Sequence, residues 1–219
     1  MIRSPAGSVS PPDNQPHAQD EILALFRQTG ALLEGHFQLS SGLHSPHYFQ
    51  CARVLQYPEY AEALCGRIAA RFSKDAVGVV IAPALGGIVV SQEVGRQLNA
   101  RSIFAERRDN ELALRRGFEI AAGERVLVCE DVITTGGSAG EVLSIVRKSG
   151  GTVVGVGAIV DRSGGASGLE NCYSTVAMKV LAYKPDECPL CKLRVPIETP
   201  GSREAHRGKA PVNAPNHRP

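Results

Sequence analysis

No stretch of the 219 residues stays apolar for the roughly 20 positions that a membrane-spanning helix takes, which removes a membrane span from consideration. Residues 1 to 19 are polar and rich in Pro, Ser and Asn, without the apolar core of a secretion signal, so the expected location is cytoplasmic. Dense Lys/Arg runs and alternating aromatic and basic residues are missing too. A formal net charge of +2 argues neither for nor against nucleic acid, and the expected partner is a small molecule. No internal repeat is present. What is there, 43% hydrophobic and 21% charged residues, suits one α/β domain with a real core and two polar tails, 1–19 and 201–219, each expected to be disordered. Of six cysteines, Cys65 and Cys129 fall within apolar patterns and read as reduced core residues.

The most informative stretch is Arg125 to Lys148, RVLVCEDVITTGGSAGEVLSIVRK. Its first six residues form the β-branched, apolar run of a strand buried on both faces of a parallel sheet. The run ends on two adjacent carboxylates, Glu130 and Asp131. Val132, Ile133 and the cluster Thr134-Thr135-Gly136-Gly137-Ser138 follow, where glycines permit a tight turn with exposed amides. Ser138 and Glu141 read as a capping box, and Val142, Leu143, Ile145 and Val146 supply one apolar helical face. Free amides at a helix N-terminus suit a phosphate, and the three hydroxyls add donors. Two carboxylates beside a phosphate make sense if the ligand also carries sugar hydroxyls or a divalent cation. A phosphorylated ribose is implied, against the plainer reading of a turn with solvated acids. A P-loop is excluded because Gly137, not Lys, precedes Ser138.

This segment, VLVCEDVITTGGS, resembles the phosphoribosyl-pyrophosphate (PRPP) signature of type I phosphoribosyltransferases, a likeness that runs from about Glu21 to Arg203. The resemblance implies PRPP contacts from Glu130, Asp131, Val132, Ile133, Thr134, Thr135, Gly136, Gly137 and Ser138.

In chain order, Asp20 is a plausible N-cap for a helix over 21–29 that Gly30 ends. The phrase GHFQLSSGLHSPHYFQC then alternates, turns at Ser40-Ser41-Gly42 and reads as a hairpin. It resembles the N-terminal hood of orotate phosphoribosyltransferases, here about residues 30–57, and Tyr48 and Phe49 match the aromatic pair that lies against the pyrimidine. On residue type alone, core packing explains Phe49 equally well. Ser40 stands where enteric members carry Lys. A helix is expected over 58–72 and a buried strand over 77–82, ending in Pro83-Ala84-Leu85-Gly86-Gly87. Glycines at a parallel strand's carboxyl end let amides approach a ligand. The resemblance implies a pyrophosphate loop formed by Leu85, Gly86 and Gly87, with Leu85 where some members have Lys.

Helix 88–99 and strand 102–105 lead to Glu106-Arg107-Arg108-Asp109-Asn110 and LALRRGF, a turn between two basic edges that reads as a mobile hairpin. In the resembled family this loop closes over the pyrophosphate and is partly donated to a neighbouring subunit. Arg107, Arg108, Arg115 and Arg116 would be its cations, with Arg107 and Arg116 as the catalytic pair beside Glu130 and Asp131. Guanidiniums clamp pyrophosphate well but stay protonated, so charge stabilisation is their expected contribution. A solvated basic hairpin is the plainer alternative. Strand 153–160 ends in Asp161-Arg162, and Arg162 matches the family's orotate-binding Arg; an ion pair with Asp161 is the structural alternative. A last strand is expected over 175–182.

His36, His44 and His47 lie within twelve residues but have no helical i, i+4 spacing and no carboxylate among them, so they read as surface or hood-packing residues. Cys188 and Cys191 form a single C-x-x-C, a weak zinc or redox signal without two further ligands at a recognisable spacing, and a reduced turn is expected. No protein metal site is assigned.

The resulting expectation is a five-stranded, mostly parallel sheet with helices on both faces and an N-terminal hood, within a domain over 20–200. Function follows from the resemblance: Mg²⁺-dependent transfer of ribose 5-phosphate from PRPP to orotate, with Thr134 and Arg162 on the orotate side, in a homodimer. A purine phosphoribosyltransferase is the alternative enzyme, disfavoured by the hood phrase. A noncatalytic PRPP-sensing regulator is the alternative of another class, disfavoured by the absence of a helix-turn-helix pattern or basic helix.

Overall fold

The computed structural model describes residues 16–39, 41–109 and 111–200. Contacts divide the chain into two units, 16–32 with 49–180 and 33–48 with 181–200. Its elements in order are α1 (Pro16–Thr29), β1 (Leu32–Gln38), β2 (His44–Phe49), α2 (Ala52–Leu55), α3 (Pro58–Phe72), β3 (Val79–Pro83), α4 (Gly86–Leu98), β4 (Arg101–Arg108), β5 (Glu111–Leu114), β6 (Arg125–Ile133), α5 (Gly137–Lys148), β7 (Thr152–Asp161), β8 (Cys172–Ala177) and α6 (Pro189–Lys192).

The larger unit is a six-stranded sheet in the order β5-β4-β3-β6-β7-β8, parallel except for the β4–β5 pair. Side chains alternate across each strand, and both faces are apolar because both are covered. Leu127 and Cys129 of β6 join Val80, Ile159, Leu64, Ile68, Phe72, Val90 and Val94 under α3 and α4. Val126 and Val128 join Val79, Ile81, Val142 and Val146 under α5. From β3 the chain runs outward to β4, then returns to place β6 on the other side of β3. The strand order therefore reverses between β3 and β6, and open α/β sheets bind ligands outside the carboxyl ends at such a point.

Several expectations need correction. The sheet has six strands, because the second arm of the basic hairpin, β5, pairs with β4 from Ala105↔Leu114 to Arg108↔Glu111. β6 runs through the acidic pair to Ile133, pairing Glu130 with Ala158 and Ile133 with Asp161 of β7, so the carboxylates belong to the strand's end. β8 starts at Cys172 and ends at Ala177, earlier than 175–182. Asp20 is not an N-cap: α1 already begins at Pro16, within the stretch expected to be a tail. The Gln19 amide then reaches the backbone of Ala177, donating to its carbonyl at 3.2 Å. The expectations for 1–15, 201–219, Ser40 and Asn110 lie outside the described residues.

The smaller unit joins the hairpin 33–48 to the segment 181–200. His44 exchanges two backbone hydrogen bonds of 2.8 Å with Tyr183. Gln38 N donates to Glu198 O at 2.9 Å and Glu198 N to His36 O at 2.8 Å, which holds residue 198 alongside β1. Phe37 is buried there, its ring tilted against Tyr48 at 5.9 Å. Of the two readings, surface or hood-packing, the second holds for His36 and His44, which are buried in the hairpin beside Cys188 and Cys191.

Candidate active site

The site is assembled where β3 and β6 end. β6 carries Glu130 and Asp131 out of the core, and the turn Thr134 to Gly136 leads into α5. Gly136 is the residue before that helix, in the left-handed region at φ 82°, where a side chain would be strained and would also meet Leu169. The expected capping box is absent. With Gly136 at the N-cap, Ser138 is the second helical residue and Glu141 the fifth, too far along to reach back. No side chain caps α5, so its first amides face the hollow that Glu130, Val132, Ile133, Thr134, Gly136, Gly137, Ser138 and Ala139 line, a space of about 190 Å³ open to solvent. Thr134, Thr135 and Ser138 are exposed beside it.

The loop after β3 closes the other side. A Cβ on Gly86 would overlap the Asp131 carboxylate, so only glycine lets this loop pass so near the acid. The Ala84–Leu85 peptide is cis, and Leu85 precedes α4 as its uncapped N-terminal neighbour, with its side chain 83% exposed. Leu85 therefore brings a backbone to the site and no charge. Two helix N-termini, of α4 and α5, thus flank one acidic pair, and each favours negative charge. The carbonyl of Asp131 accepts from the Cys51 thiol at 3.7 Å.

The acidic pair is electrostatically unusual. Burial, then the charge of Asp131 and a hydrogen bond to it, push the Glu130 carboxyl up to about 8. Its Oε2 is fully buried without a hydrogen-bond partner. Burial also raises Asp131, opposed by the backbone amides of Val132 and of Asp131 itself. An unsatisfied buried carboxylate oxygen is costly in a resting site, and a ligand hydroxyl would satisfy it.

The arginines are less concentrated than expected. Arg107 donates to Glu141 at 2.9 and 3.3 Å, and the same carboxylate accepts from Leu112 N at 3.2 Å. Arg116 grips Glu106 through two bonds of 2.8 and 3.0 Å, and Arg108 lies 3.4 Å from Asp109. Arg115 makes no ion pair among the described residues. Glu106 and Glu141, both held below the usual carboxylate range chiefly by hydrogen bonds from these arginines, were missed in the sequence. Only their positions opposite the basic positions across the fold would have betrayed them. Because the pairs are exposed they are cheap to exchange for another anion.

Arg162 follows β7 and is half-buried, with its amide donating to Ile133 O at 2.9 Å and its carbonyl accepting from Val180 N at 3.1 Å. Asp161 is committed elsewhere: its carboxylate accepts from Ser163 N, Ser163 Oγ and Gly165 N at 2.8, 2.6 and 3.0 Å, which orders the turn after β7. Phe49 is a correction. It is 6% exposed, and its ring packs edge-on against Phe26 at 6.1 Å, so it is core and has no open face for a base. Tyr48, its neighbour on the opposite side of β2, stays half-buried against Phe37.

The comparisons agree with this geometry. Residues 56–181 match the family model described as the phosphoribosyl transferase domain. An orotate phosphoribosyltransferase of Pelotomaculum thermopropionicum is 57% identical over 187 residues, 85% of this chain and 98% of that protein. One from Chlorobium phaeobacteroides is 55% identical over 186 residues, 84% of this chain and 96% of that protein. The crystal structure of orotate phosphoribosyltransferase from Aeropyrum pernix superposes with a TM-score of 0.60 at 25% identity, covering 71% of this chain and 92% of that one. By its acidic strand end, its uncapped helix and these relatives, the chain belongs to the orotate phosphoribosyltransferases of the type I phosphoribosyltransferase family.

Proposed function

We propose that the chain transfers ribose 5-phosphate from PRPP to N1 of orotate, releasing pyrophosphate and forming orotidine 5′-monophosphate. The observation that carries this reading is the juxtaposition at the end of β6 of an orphaned buried carboxylate oxygen on Glu130 with the uncapped N-terminus of α5. Ribose hydroxyls donate to Glu130 and Asp131. The 5-phosphate accepts from the amides and hydroxyls of Val132 to Ser138. Leu85, Gly86 and Gly87 offer amides to the pyrophosphate, and Arg107, Arg108 and Arg116, after releasing their carboxylates, offer guanidiniums together with Arg115. Arg162 and Thr134 take the orotate side, with Tyr48 as the remaining aromatic of the pair.

Bond breaking between C1′ and the pyrophosphate oxygen builds negative charge on the leaving group and positive charge on the sugar. Helix N-termini and guanidiniums stabilise the first, and the acidic pair the second. Mg²⁺ would suit the hard oxygens of this site: Glu130 and Asp131 are the carboxylates that would help to hold it, too few to cage it without oxygens from the substrate and water. When bound, it neutralises leaving-group charge. A cytoplasmic homodimer completes the reading, checked by light scattering on the purified chain; among the described residues no helix is long and apolar enough to cross a membrane.

The deciding experiment incubates the purified protein with PRPP and Mg²⁺ and offers orotate, hypoxanthine, adenine or uracil in parallel. Pyrophosphate release with orotate alone is expected. Release with a purine and not with orotate overturns the acceptor, and binding of PRPP without turnover of any base would make the chain a sensor.

A further inference from the structure

Four side chains outside the active site converge in the smaller unit, two from the hairpin and two from the C-terminal segment. His36 and His44 are buried, Cys188 is fully buried and Cys191 half-exposed, and their Nε2, Nδ1 and two Sγ atoms all lie within 4.8 Å of one another. His36 Nε2 is 3.0 Å from His44 Nδ1, 3.5 Å from Cys188 Sγ and 3.7 Å from Cys191 Sγ, while His44 Nδ1 is 3.2 Å from Cys191 Sγ. A tetrahedral zinc ion, with Zn–N near 2.0–2.1 Å and Zn–S near 2.3 Å, separates its ligands by roughly 3.3 to 3.8 Å. Four of the cluster's edges, 3.0 to 3.7 Å, lie near those values, and none exceeds 4.8 Å.

Hydrogen bonding alone does not account for it. His36 Nδ1 lies 2.8 Å from the Val195 carbonyl, which only accepts, so Nδ1 carries the proton and Nε2 of the neutral ring presents a lone pair. Three groups crowd that single lone pair. A cation at the centre gives all four lone pairs one partner, and the His36–carbonyl bond becomes the outer support that fixes a metal-bound imidazole. Cys188 and Cys191 do not form a disulfide with each other; all six cysteines are free thiols.

We propose that His36, His44, Cys188 and Cys191 bind one structural Zn²⁺ that fastens the C-terminal segment to the hairpin. Two thiolates and two imidazoles without any oxygen donor select zinc over magnesium or calcium, and four protein ligands leave no open position for chemistry. Binding displaces two thiol protons into solvent. The sequence concealed the site because the ligand pairs lie 8 residues apart within the hairpin and about 150 residues from the C-x-x-C.

The test is metal content of the full chain, purified after growth with added zinc and passed through gel filtration. About one zinc per chain is expected, falling below about a tenth in Cys188→Ser/Cys191→Ser and unchanged in His47→Ala, whose side chain is outside the cluster. Should the double variant not fold, cobalt replaces it as readout: titrating Co²⁺ into the apo native chain should produce a thiolate charge-transfer band and the intense visible bands of tetrahedral coordination, saturating at one equivalent. Folded native protein holding less than about a tenth of an equivalent, zinc retained by a folded double cysteine variant, or cobalt spectra of octahedral type would each overturn the proposal.

Discussion

The crevice between β3 and β6 and the histidine–cysteine cluster are both assembled from several residues, yet one is written almost in a line and the other is scattered. Glu130 to Ser138 lie on one continuous strand, turn and helix, and Pro83 to Gly87 lead from the end of the adjacent strand into α4. The cluster draws on residues up to 155 positions apart. A site made of consecutive residues inherits its geometry from local rules: strand end, glycine turn, helix dipole. A site made of distant residues has no geometry until the chain has folded.

If the first site is as self-contained as this implies, its variants should lose activity and keep their fold. Asp131→Asn leaves the shape and removes the charge that offsets the developing positive sugar; a fall in kcat/KM of about 10²–10³-fold is expected with an unchanged circular dichroism spectrum. Near-normal turnover would contradict its role. Gly86→Ala is the next largest: its Cβ overlaps the Asp131 carboxylate and must push the loop or the acid aside. About 10- to 100-fold loss of kcat/KM is expected, since a displacement near 1 Å at a reacting site costs that much. Full activity would show that the two elements are not tightly coupled.

The scattered site should behave the opposite way, through stability. Stripping zinc with a strong chelator should lower Tm by on the order of 5 °C, with recovery on adding zinc back. An unchanged Tm in a chain shown to hold zinc would mean that the ion does not brace this unit.

The same contrast explains what could be read in advance. Helix 58–72 was legible to the residue because Pro58 starts it and an apolar stripe fills its length. Strands β3, β6 and β7 were legible as uninterrupted β-branched runs, and their order placed the acids and glycines at carboxyl ends. The failures are tertiary. Glu141 looked like half of a capping box, but Arg107 and Leu112 claim its carboxylate across the fold. Phe49 looked like a base-stacking residue because nothing nearby in sequence announces Phe26 behind it. β5 looked like one arm of a free hairpin because its sheet partner is supplied only by β4's own pairing in the edge.

Taken over a single pH unit, Glu130 gives the smallest expected effect, and the one that most sharpens the comparison, because it links the local site to global stability. In the folded, ligand-free chain its carboxyl titrates near 8 instead of 4.5, burial being the largest cause. Above about pH 4.5 the unfolded chain has lost this proton and the folded chain still holds it, so raising pH favours unfolding until about 8 and has no further effect through this group. Asp131, raised as well, acts in the same direction. The arginine-paired Glu93, Glu106, Glu124 and Glu141, all lowered, contribute stability that is lost only as pH falls through the acid range, a separate window. Glu130→Gln keeps the shape of the protonated acid and removes its titration. Thermal melts of both proteins without ligand should therefore diverge from about pH 5 to 8, with the variant gaining up to about 1 kcal/mol per pH unit over the native chain. Parallel curves would mean that Glu130 is already ionised in the empty site, and that its buried oxygen is satisfied before any sugar arrives.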